Sequence, residues 1–139
     1  MSPKLESLFG DYAAYHRSTG NKLCHYIGIP LIVFTLVGLL RAVAWSGLDL
    51  SLLTAGLALL YYLTLSARLA LGMAVFLGFA YFAGPALPLP FQLAGFLMGW
   101  VFQFIGHSVY EKNSPAFLKN LQHLLVGPLW VMARVIPMS

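Results

Sequence analysis

The chain has 139 residues, 60% of them hydrophobic and only 9% charged, far below the roughly one quarter charged of a soluble domain. Its net charge of +4 comes from eight scattered Lys and Arg that form no basic stripe, which argues against nucleic-acid binding. The single cysteine, Cys24, excludes an internal disulfide, and the length suits one membrane-embedded domain over residues 1–139.

The first 20 residues, Met1–Gly20, are polar and lack the apolar core of a signal peptide. An interfacial helix is predicted there, with the first apolar helix acting as the insertion signal. A bilayer-crossing helix needs about 20 mostly apolar residues. Four candidates follow: Tyr26–Trp45, interrupted by Arg41; Leu50–Leu65; Leu69–Gly84; and Phe91–Ile105. The middle two are short and suit a tight hairpin around Ser66-Ala67-Arg68. A fifth run, Leu121–Ile136, could span too, but it carries Gly127-Pro128, Arg134 and Pro137 and better suits a bent interfacial helix. The predicted fold is an all-α integral membrane bundle of about four transmembrane helices, with interfacial helices at both ends. A soluble chain of this size lacks the volume to hide four all-round apolar helices.

Lysine and arginine set the orientation. Lys4, Arg17 and Lys22 precede the first span, Arg68 lies in the second turn, and Lys112 and Lys119 follow the fourth span. The opposite loops, Ser46–Asp49 and Pro85–Pro90, hold none. Both termini are therefore expected in the cytoplasm, in the inner membrane of a bacterium or the endoplasmic reticulum of a eukaryote. Arg41 is expected to snorkel outward.

The same plan gathers all four histidines on the cytoplasmic face: His16, His25, His107 and His123. In one straight helix, His16 and His25 would point to opposite sides. Ser18-Thr19-Gly20-Asn21 offers a break and restart, with Thr19 or Asn21 as N-cap. Gln103, His107 and Glu111 are spaced by four and would share a face of an α-helix. Ser114-Pro115 then suits a helix restart that carries Asn120 and His123 back toward the membrane. A lone histidine at a membrane edge is usually just interfacial, but four beside a carboxylate suggest a metal site. His16, His25, His107 and His123 are the candidate ligands. Glu111, Asn21 and Gln103 are candidate catalytic-site residues, with Glu111 as ligand, base or acceptor for an imidazole. Tyr15, Tyr26 and Tyr110 read as interfacial belt residues, and Cys24 as a small apolar filler.

Histidine and carboxylate ligands admit iron, zinc, manganese or copper. Four histidines are too few for the clustered di-iron scheme of membrane desaturases, so a single metal is expected.

Three segments also resemble a known signature. His16 with Asn21 and His25-Tyr26-Ile27-Gly28-Ile29-Pro30 form the first. Gln103-Phe104-Ile105-Gly106-His107 with Glu111 and Ser114-Pro115-Ala116 form the second, and Leu124-Leu125-Val126-Gly127-Pro128 the third. Together they resemble the family of the yeast 2-hydroxy fatty acid dioxygenase, from about Leu5 to Trp130. The resemblance implies an Fe(II)-dependent membrane enzyme that uses O2 to shorten a 2-hydroxy fatty acid by one carbon, which is fatty acid α-oxidation. It also implies that His16, His25, His107 and His123 are the family's histidines. Lipid substrate, O2 and membrane are then the partners, and Arg17, Lys22 or Lys112 would hold the substrate carboxylate. The competing readings are a haem-binding electron carrier with two axial histidines, and a small transporter or scaffold with interfacial histidines.

Overall fold

A computed structural model describes residues 1–138 of the chain. Helix α1 (Pro3–Ala14) starts at Ser2, whose hydroxyl accepts from the Leu5 amide, with Pro3 at the first helical position. Its apolar face of Leu5, Leu8 and Tyr12 is buried. Helix α2 (Thr19–Arg41) starts at the N-cap Ser18 and runs 23 residues, about 34 Å. Pro30 lies inside it.

Beyond α2, a two-residue turn closes a small antiparallel hairpin, β1 (Ala44–Trp45) and β2 (Leu48–Asp49). Ser46 and Gly47 hold φ of 50° and 78°, which such a turn requires. Asp49 caps helix α3 (Leu50–Leu65) and accepts from the Tyr81 hydroxyl at 2.7 Å. Ser66 ends α3 and caps helix α4 (Ala67–Ala83), as the tight hairpin requires. A 3-10 turn (Gly84–Ala86) leads to helix α5 (Leu89–Ile105). A π-helical segment (Gly106–Glu111) continues α5, and a 3-10 turn (Ala116–Leu118) precedes helix α6 (His123–Val135).

The bundle is all-α apart from the small hairpin. Three helical stretches are long and apolar enough to cross a membrane: Thr19–Arg41, Ala67–Ala86 and Leu89–Glu111. The other apolar helices, α3 and α6, are shorter. On the outward faces, Leu57, Leu60, Leu71, Val75, Phe79 and Phe82 are each at least 60% exposed. A continuous apolar exterior of this kind belongs against lipid. Inside, α1 and α6 close one end of the bundle through Leu5, Leu8, Tyr12, Val126, Leu129 and Trp130.

Helices α2 and α5 cross where two glycines face each other. A Cβ on Gly28 would collide with the Gln103 amide, and one on Gly99 would come within 3.0 Å of the Gly28 carbonyl. Only small residues permit this approach. Gly99→Val is expected to lower stability by about 1–3 kcal/mol through overpacking, read as a lower unfolding temperature in detergent. An unchanged unfolding temperature would contradict the crossing.

Several expected boundaries move. The first span begins at Thr19 rather than Tyr26 and ends at Arg41 rather than Trp45, because the chain turns into the hairpin. The helix break falls at Tyr15–Ser18, with Ser18 and not Thr19 or Asn21 as N-cap. Arg41 does not simply snorkel: its guanidinium lies 4.1 Å from the Tyr81 ring centre and donates to the Tyr81 carbonyl. Ser114-Pro115 introduces only a 3-10 turn.

Candidate metal centre

Each of three imidazoles is oriented by an oxygen behind it. His16 lies between α1 and α2, with Nδ1 2.6 Å from the Tyr12 carbonyl oxygen. The Tyr12 ring stacks on it, 4.0 Å between centres and 8° from parallel. His25 lies nearly two turns into α2, with Nδ1 2.9 Å from the Asn21 carbonyl oxygen. His107 is the second residue of the π segment, with Nδ1 2.8 Å from Asn113 Oδ1. The Asn113 orientation is fixed independently, since its Nδ2 donates to the Tyr15 carbonyl at 3.3 Å.

A carbonyl or amide oxygen only accepts, so in all three rings Nδ1 carries the proton and donates. All three Nε2 atoms are then bare lone pairs. They point at one another: His25 Nε2 is 3.0 Å from His16 Nε2 and 3.2 Å from His107 Nε2. The three ligand atoms lie within 4.8 Å of one another. No proton is left to bridge them, so a cation is the partner this arrangement suits. Metal–nitrogen bonds of about 2.0–2.1 Å place neighbouring ligand nitrogens about 2.9–3.4 Å apart, and both short separations fall in that range. The rings are 1–2% exposed. Burial lowers the His16 pKa to about 4, against the opposing pull of the Tyr12 carbonyl. His16 is thus a neutral donor at physiological pH.

The other expected residues fall around this group. His123 is 6% exposed, at the start of α6, and lies outside the set of three. Its ring centre is 5.6 Å from that of Tyr12, and its Nδ1 is buried without a hydrogen-bond partner among the described residues. Glu111 lies at the end of the π segment, whose i→i+5 bonding continues α5, and makes no hydrogen bond to His107 among the described residues. Its carboxylate instead accepts from the Arg17 and Ser18 amides at 2.7 and 2.8 Å and from Asn21 Nδ2 at 3.4 Å. Glu111 therefore caps the start of α2 from the π segment, holding His107's support against the His16–His25 corner. Asn21 is fully buried and ties Tyr15 to Glu111. Gln103 is 5% exposed and donates to the Cys24 carbonyl at 3.5 Å, across the α2–α5 contact.

Beside the histidines lies a cavity of about 230 Å³. Tyr12, His16, Gln103, His107 and His123 form its polar end. From there Ile29, Ile32, Val33 and Leu36 of α2 and Phe96 and Trp100 of α5 line an apolar channel. Ile29 to Leu36 spans about 10 Å along the helix. Arg17, Lys22 and Lys112 are not among the lining residues, which removes them as carboxylate holders inside the cavity.

Two supporting residues escaped the sequence reading. Tyr12 had a signal, one helical turn before His16. Asn113 had none, because only the turn after the π segment brings it behind His107.

No solved structure matches the chain. A family described as "2-hydroxy-palmitic acid dioxygenase Mpo1-like" matches residues 3–138. The chain is 34% identical over 134 residues to the Saccharomyces cerevisiae protein named 2-hydroxy-palmitic acid dioxygenase MPO1, covering 92% of this chain and 77% of the yeast protein. With that match running through the three-histidine corner and the apolar channel alike, the chain belongs to the Mpo1-like family of 2-hydroxy-palmitic acid dioxygenases.

Proposed function

We propose that this protein is an Fe(II)-dependent membrane dioxygenase that shortens 2-hydroxy fatty acids by one carbon. The observation that carries the reading is the convergence of the His16, His25 and His107 Nε2 atoms beside an apolar channel that His16 and His107 line. His16, His25 and His107 would hold the metal. Bound there, Fe(II) would supply O2 activation and affinity for hard oxygen donors such as a 2-hydroxyl or a carboxylate. In the balanced reaction, the C1–C2 bond of the hydroxy acid breaks and one O2 is reduced. The shorter acid, CO2 and water leave, so no separate reductant is needed.

The chain's own groups prepare this. The Tyr12 and Asn21 carbonyls and Asn113 Oδ1 keep each Nδ1 proton in place, which fixes the ring orientation and the basicity of Nε2. The apolar channel takes the acyl tail and excludes water from the polar end. Three protein ligands leave positions for substrate and O2. Two axial histidines of a haem would lie on opposite sides of a macrocycle, whereas these nitrogens are 3.0 and 3.2 Å apart.

Glu111 is a positioning residue in this reading. Glu111→Gln keeps one acceptor but loses the charge at the start of α2, a change of about 0.5–1.5 kcal/mol. Bound iron is expected to remain, with affinity lowered several-fold in an iron titration. Complete loss of iron would make Glu111 a ligand and contradict this role.

The distribution of Lys and Arg supports a cytoplasmic side for the termini and the histidine corner. Single cysteines at positions 4 and 112, in a Cys24→Ala background, are expected to react with an impermeant maleimide only after cells are opened. Position 47 is expected to react in intact cells. The reverse pattern would invert the topology.

A further inference from the structure

We infer that His123 is the anchor for the substrate's carboxylate, standing beside the metal ligands rather than among them. The inference rests on the proposed function above, and it names the group that recognises the acid. His123 lines the same cavity as His16 and His107 and is 6% exposed. Unlike theirs, its Nδ1 has no partner: it is buried and makes no hydrogen bond among the described residues. A buried ring nitrogen without a partner is costly unless a ligand supplies one.

Among the described residues the remaining wall offers no Lys or Arg cation and no other free imidazole. His16 and His107 have committed their Nδ1 atoms to Tyr12 and Asn113, and Gln103 donates to the Cys24 carbonyl. His123 is the uncommitted imidazole. It also lies where the chemistry places the acid group. The carbon to be lost carries the carboxylate, so that end must sit at the histidine corner while the tail runs along Ile29, Ile32 and Leu36. Tyr12 links the two functions, with its ring stacked on His16 and 5.6 Å from the centre of His123. A donor at this place selects free acids over esters and amides, whose neutral carbonyl accepts a weaker hydrogen bond.

The test uses full-length protein in detergent, with His123→Leu and, to keep the ring and the α6 packing, His123→Phe. Three quantities are read: bound iron per chain, KM for 2-hydroxypalmitate, and binding of a fluorescent polyene fatty acid to metal-free protein. Both variants are expected to keep iron. They should weaken fatty acid binding and raise KM by about 10–100-fold, the loss of one charge-assisted hydrogen bond. His123→Gln, which retains a donor, should recover most of the binding. Loss of iron in both apolar variants would make His123 a ligand and overturn the proposal, as would unchanged fatty acid binding. The functional reading fails separately: wild-type protein that never consumes 2-hydroxypalmitate would refute it, while the dependence of metal-free binding on His123 would still stand.

Discussion

His25→Ala is expected to strip the protein of iron and abolish turnover of 2-hydroxypalmitate. His25 Nε2 is the nitrogen to which both of the other two are closest, at 3.0 and 3.2 Å. Removing it leaves two imidazoles with no third donor between them. The loss should exceed the roughly 10–100-fold that follows when only a supporting hydrogen bond is removed. The fold should survive. Helix α2 keeps its Ser18 cap and its glycine contact with α5, and Ala is a good helix former. Helical content by circular dichroism, measured beside iron content, separates the two effects. A well-folded His25→Ala protein with full iron would remove this corner as the metal site.

Asn113→Ala tests the tautomer argument without touching a ligand. Asn113 Oδ1 is the acceptor that holds the His107 proton on Nδ1. Without it the ring is free to turn and to place its proton on Nε2, where it cannot bind a metal. Iron affinity is expected to fall by about 10–100-fold, measured by competition with a chelator. Asn113→Asp keeps an acceptor and should retain affinity far better than Ala. Equal affinities for wild type and Asn113→Ala would show that His107 needs no such support.

Much of the bundle is legible in the sequence because hydrophobicity alone defines the helices. Leu50–Leu65 coincides with α3, and Ser66 serves as the turn between α3 and α4. The ends of α2 are harder to read. Its start depends on which of several adjacent polar residues caps it, and its end on a hairpin too short to leave a strand pattern. Three of the four histidines come together as a four-histidine corner would suggest. The exact partners do not follow from sequence spacing, because α5 passes into a π segment after Ile105. In that segment Glu111 is engaged by the Arg17 and Ser18 amides, and Asn113, past its end, is the residue that stands behind His107. Helical periodicity carries no trace of such a change. The channel was equally invisible, since Ile29, Ile32 and Leu36 are ordinary residues in an apolar run until α5 and α6 pack around them.

The most direct test is a single-turnover assay on anaerobically purified, metal-stripped protein given one equivalent of Fe(II), then 2-hydroxypalmitate and O2. Mass spectrometry of the extracted acids should find the acid one carbon shorter, in proportion to the iron bound, and none from the metal-stripped protein. Iron bound in full with no shortened acid, or the same yield with and without iron, would contradict the account.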